Sequence, residues 1–164
     1  MPTTNNMKYN TASGNIIEVV KDTATFLEHW DFFRVGMEEM NERSAAGIDT
    51  DGYLKKMLTI MASWPNGGLV LLKSKNNKLL GFAAGFDATP IFSTKRVLYI
   101  YCLYSNGLFL STGKELLAWT KLFCKQNNFQ SIKMETGKIH GGACQYFQKK
   151  LGFTDKKLLF SQEV

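Results

Sequence analysis

No apolar run in the sequence approaches about 18 residues, the length a helix needs to cross a bilayer, so no membrane span is expected. Residues 1–14 are polar, with one lysine and no apolar segment of the kind a secretory leader carries. Cysteine is scarce and unpaired in number. Cys102, Cys124 and Cys144 are widely spaced and form no CxxC pair, which argues against a disulfide framework and for a reducing, cytoplasmic setting. The two histidines, His29 and His140, lack any ligand spacing, so no metal site is expected. Internal repeats and low-complexity linkers are absent as well. What remains is a polar tail over residues 1–14 and a single domain over 15–164, long enough to bury a core.

Acidic residues are short in one half only. Residues 1–82 hold nine Lys/Arg and nine Asp/Glu, whereas residues 83–164 hold eleven and five, so the second half carries the whole net charge of +6. Such asymmetry favours an anionic partner for that half: a phosphate-bearing cofactor, a nucleic acid or an acidic protein surface. No nucleic-acid motif is present and the lysines are scattered, so nucleic acid is the least favoured of the three.

Periodicity gives the elements. The β-branched run at residues 15–20 (NIIEVV) predicts a strand. Phe26, Trp30, Phe33, Met37 and Met40 form a helical stripe after an N-cap at Asp22 or Thr23. Thr50 is the expected cap of a second helix carrying Tyr53, Leu54, Met57, Leu58 and Met61, closed by Pro65-Asn66-Gly67-Gly68. Strands are predicted at 69–73 and 79–86, with Asn76-Asn77 as the hairpin turn and Gly81 and Gly85 marking a bulge or close backbone approach. The run at 96–104 (RVLYIYCLY) is the longest apolar strand and the expected centre of the sheet. Strict alternation puts Tyr99, Tyr101 and Leu103 on one face and Leu98, Ile100, Cys102 and Tyr104 on the other. A helix over 114–126 has Leu116, Leu117, Thr120, Phe123 and Cys124 as its buried stripe. A strand at 131–135, a helix over 142–151 ending at Gly152 and a strand at 157–160 complete the chain. The order is β-α-α-β-β-β-α-β-α-β, an α/β fold with helices on both faces of a mostly antiparallel mixed sheet.

Two stretches resemble the GNAT superfamily of acyl-CoA-dependent N-acyltransferases: LYIYCLYSNGLFLSTGKELLAW and GGACQYFQKKLGF. The first resembles the family's central strand, phosphate-cradling loop and following helix, and the second its penultimate helix and Gly-Phe turn. The resemblance implies acetyl-CoA as cosubstrate and an amine as acceptor. It also implies a coenzyme site built from Leu103 on the central strand with Leu110, Ser111, Thr112, Gly113 and Lys114, since orphan amides at a helix start favour an anion. Leu108, Ser111 and Gln148 stand where the family commonly has Gln/Arg, Gly and the thiolate-protonating Tyr. These departures keep a second reading open: a catalytically inactive GNAT-fold module that binds a protein or a second copy of itself.

Acetyl transfer to an amine calls for a base, an oxyanion donor and alignment. Glu135 and Tyr104 are the expected catalytic residues. Asp87, Glu38 and Glu39 are further carboxylate candidates, Tyr101 and His140 further titratable ones, and Cys144 reads as a buried thiol.

Overall fold

The computed structural model describes residues 7–41, 49–106, 109–134 and Gly152, without the side chains of residues 40, 41, 109 and 110. One sheet orders the described strands as β1 (Lys8–Asn10), β2 (Ile16–Val20), β3 (Gly67–Lys73), β4 (Leu79–Asp87), β5 (Val97–Ser105) and β6 (Ser131–Met134). Neighbours are antiparallel except the parallel pair β5–β6. Helices α1 (Thr23–Glu28), α2 (Trp30–Asn41) and α3 (Thr50–Ala62) cover one face, and α4 (Phe109–Gln126) covers the other.

The expected order of strands and helices is present through β6, with local differences. The stripe expected as one helix is two, because His29 leaves helical geometry (φ −106°, ψ 10°). Its N–H bonds to Phe26 O at 3.2 Å, and α2 restarts as Phe33 N–H reaches His29 O. The apolar stripe survives the break: Phe26 and Phe33 are fully buried and stack at 5.3 Å. Asp49, not Thr50, caps α3, its carboxylate accepting from Gly52 N–H at 3.0 Å. The hairpin turn lies where Asn tolerates it, with Asn77 at φ 62°. All five residues of the predicted α4 stripe are buried. The predicted helix over 142–151 and the last strand lie outside the described residues. Gly152 has φ 74°, the conformation suited to the position just past a helix end.

The polar N-terminal stretch contributes structure of its own. Lys8–Asn10 pairs with Ile16–Glu18 as β1. Three side chains of the connecting turn, Thr11, Ser13 and Asn15, all donate to the carboxylate of Glu115 on α4, Thr11 at 2.7 Å and Asn15 at 2.9 Å. Tyr9 stacks beside Trp119 of the same helix at 5.8 Å. Glu115→Ala is expected to lower stability by about 1–2 kcal/mol in urea unfolding, because several hydrogen bonds to one charge are lost together. Amide exchange should quicken in Lys8–Asn10 before the rest of the sheet.

The core has two parts. Under α1–α3 lie Phe26, Phe33, Tyr53, Met57, Phe82, Cys102 and Tyr104. Under α4 lie Ile17, Val19, Val70, Leu72, Leu98, Leu116 and Phe123. One ion pair is buried with them: Lys73 Nζ donates to Glu18 Oε2 at 2.6 Å, the two side chains 13% and 6% exposed.

Candidate active site

The central strand sets the geometry. In the β4–β5 ladder Ala84 opposes Cys102 while Gly85 opposes Ile100, so Tyr101 is one extra residue on β5. That is a β-bulge, which bends the strand and adds twist. It also breaks alternation. Leu98, Ile100 and Leu103 pack toward α4, while Tyr101, Cys102 and Tyr104 pack toward α1–α3. Tyr99 lies on that second side too, its ring 5.2 Å from Phe86. The split of faces expected from strict alternation is therefore corrected beyond Tyr101, for Cys102, Leu103 and Tyr104. Gly81 and Gly85 serve as anticipated. A Cβ on Gly81 would lie 2.4 Å from Tyr104 O, and Gly85 sits at the bulge.

Among the described residues, Ser131–Met134 registers with Val97–Ile100, and Cys102–Ser105 pairs with β4.

Tyr104 stands beyond the bulge, opposite Phe82. Its hydroxyl donates to Glu39 Oε2 at 2.6 Å. The ring is buried against Phe32 and Phe82, while Glu39 is exposed. Gly36 makes the pairing possible. A Cβ there would lie 2.6 Å from Phe82 Cε1 and 2.8 Å from Tyr104 Cδ1. Only a glycine lets α2 settle on those two rings, and Glu39, three residues on, then reaches the tyrosine.

The other carboxylates are accounted for. Glu38 binds Arg34 at 2.6 Å. Asp87 lies at the opposite end of β5, facing Leu98, and pairs with Arg96 at 2.9 Å. Burial pushes its carboxyl up, but hydrogen bonds from Thr89 and Arg96 outweigh this and hold it below the ordinary value. Glu135, His140 and Cys144 lie outside the described residues. Cys102 is buried, with its thiol pushed up to about 12, so it does not supply a thiolate. Burial also raises the Tyr101 hydroxyl.

The helix after β5 begins at Phe109, five residues before the sequence places it. Ser111 and Thr112 therefore lie in its first turn, and Gly113 and Lys114 just beyond it. Leu110 also falls in the first turn. Ser111 and Lys114 are exposed, while Gly113 is buried. Thr112 points inward, its hydroxyl bonded to that of Ser105, which ties the start of α4 to the end of β5. The first turn holds no acidic residue. A helix start of this kind favours an anion. Leu103 is half-buried beneath α4.

Sequence reasoning had Tyr104 and counted Glu39 among the carboxylates, but not their hydrogen bond. Gly36 carried a signal, a lone glycine inside a strong helical stripe.

No protein-family model and no curated protein matches the chain. Solved structures do. A GNAT family acetyltransferase from Staphylococcus aureus superposes with TM-score 0.64 at 16% identity, covering 92% of this chain and 98% of its own. This is the GNAT fold. A structure described as a possible acetyltransferase from Clostridium difficile superposes with TM-score 0.67 at 14% identity, covering 90% of this chain and 97% of its own. So does an aminoglycoside acetyltransferase from an uncultured soil metagenomic sample, with TM-score 0.65 at 18% identity and coverage of 93% and 97%.

Proposed function

We propose that the protein is an N-acetyltransferase that moves an acetyl group from acetyl-CoA to an amine, with Glu39 as base. The observation that carries this reading is the hydrogen bond between Tyr104 on β5 and Glu39 on α2. A pyrophosphate suits the acid-free first turn of α4 with Lys114 nearby. Acetyl-CoA, when bound, supplies the thioester carbonyl.

The chain's own groups then have defined tasks. A main-chain N–H group at the β5 bulge donates to the carbonyl oxygen as it gains charge. The amine nitrogen forms its bond to the acyl carbon, the carbon–sulfur bond breaks, and the Glu39 carboxylate accepts the proton the nitrogen loses. Tyr104 holds that carboxylate in one rotamer and is a positioning residue.

Thermal unfolding with acetyl-CoA, with ADP as control, tests donor binding, and thiol release with an amine panel tests turnover. Ligand at about a hundred times Kd adds roughly 2.7 kcal/mol, a midpoint shift of about 5–10 °C for a domain of this size. A shift with acetyl-CoA and amine-dependent thiol release are the expected results. No shift at saturation would overturn the reading and leave the non-catalytic module, with partner binding as its activity.

A further inference from the structure

The loop from β4 to β5 presents two apolar side chains to water. Ile91 is 93% exposed and Phe92 99%, more than any other large apolar residue among those described. Both sit in a turn closed by Ser93 N–H on Pro90 O at 2.9 Å. Hydrogen bonds build the stem beneath it. The Asp87 carboxylate accepts from the N–H and the hydroxyl of Thr89, and Thr89 Oγ1 accepts in turn from Val97 N–H at 3.0 Å. Ser93 Oγ accepts from Lys95 N–H and donates to Lys95 O. Arg96 locks the base of the loop. Its guanidinium lies 4.1 Å from the centre of the Phe129 ring and donates to Asp87, Asn66 and the carbonyl of Asn127. The apolar pair is thus held outward on a fixed support. Leaving such side chains in water forfeits their burial, so an ordered turn that does so marks a contact surface.

Charge decides what that surface meets. No acidic residue occurs in the sequence between Asp87 and Glu115, and Asp87 is paired with Arg96. Lys95 is exposed and joins no ion pair among the described residues. Lys125 is exposed in the last turn of α4, two residues before the Asn127 that holds Arg96. A second copy meeting the turn tip to tip would set like charges together, which the field opposes. A convex apolar tip flanked by ammonium groups suits an anionic lipid layer, where bulky side chains sink and lysines meet headgroups.

We propose that this turn docks the protein on an anionic lipid surface, with Ile91 and Phe92 entering the boundary between headgroups and acyl chains and Lys95 at headgroup level. Tyr104 lies seven residues along β5 from Val97, roughly 23 Å along a strand, so the candidate active site stands clear of the layer.

The test is co-sedimentation of the full chain with vesicles of phosphatidylserine and phosphatidylcholine in equal parts, and with vesicles of phosphatidylcholine alone. Binding should favour the mixed vesicles and weaken as salt rises. Phe92→Ser should weaken it about tenfold and Lys95→Gln about fivefold. Leu27→Ser, which removes a leucine 57% exposed on α1, should leave it unchanged. In Phe92→Trp, brominated acyl chains should quench fluorescence beyond the quenching seen in the native protein. No binding to the mixed vesicles, or binding that Phe92→Ser leaves as it was, would overturn the inference. Lipid-free dimers in ultracentrifugation that Phe92→Ser abolishes would also overturn it and assign the tip to a second copy.

Discussion

Glu39→Gln is expected to lower kcat for acetyl transfer by about a hundredfold, some 2.7 kcal/mol of barrier, with little effect on acetyl-CoA binding. The amide keeps the shape and still accepts a hydrogen bond from Tyr104, but it cannot take the amine's proton. Tyr104→Phe separates base from support. It leaves the carboxylate and removes the hydroxyl that orients it, so kcat should fall only about tenfold. Near-native turnover in Glu39→Gln would move the base elsewhere, with Glu135 the next candidate.

Lys73→Met is expected to be the most damaging single change to stability, at about 3–5 kcal/mol. Glu18 would keep its buried charge and lose the ammonium 2.6 Å away. Against a domain stability of about 5–15 kcal/mol, that leaves little reserve. Adding Glu18→Gln to Lys73→Met removes the buried charge as well and should recover much of the loss in urea unfolding. If the double variant were no better than the single one, lost packing by the lysine stem would be the cause instead.

His29 gives this prediction a second readout. Burial holds its imidazole below the ordinary value of 6.5, and the Lys73 ammonium lowers it further. In Lys73→Met the second cause is gone, so the His29 titration followed by NMR should move up. The sign for the native protein follows from linkage. The unfolded chain binds this proton more readily, so stability should decline as pH falls from about 6.5 toward the folded value. Asp87, also held low, makes its loss only further down, as pH falls below the 3.8 of its unfolded form.

The outline of this fold is legible in the residues because most of its signals are local. The α4 stripe from Leu116 to Cys124 and the Asn77 turn depend only on neighbours in sequence. The misplaced start of α4 shows where such reading stops. Ser111, Thr112 and Gly113 look like loop residues, since Gly costs about 1 kcal/mol inside a helix and Ser and Thr favour caps. They are helical here, with Thr112 buried and bonded to Ser105, a tertiary contact no window of sequence contains. The site follows the same rule. Tyr104 could be named from its strand, but its partnership with Glu39 spans 65 positions of chain and depends on Gly36.

The extra residue in β5 has a consequence for the shape of the strand. The bulge falls at Tyr101, between Ile100 and Cys102. On either side of it the β4 partners keep their faces, so a chain shortened by that one residue would still bury the same side chains. It would, however, be straighter and less twisted. One residue of chain length, rather than any one side chain, then sets the bend of the central strand.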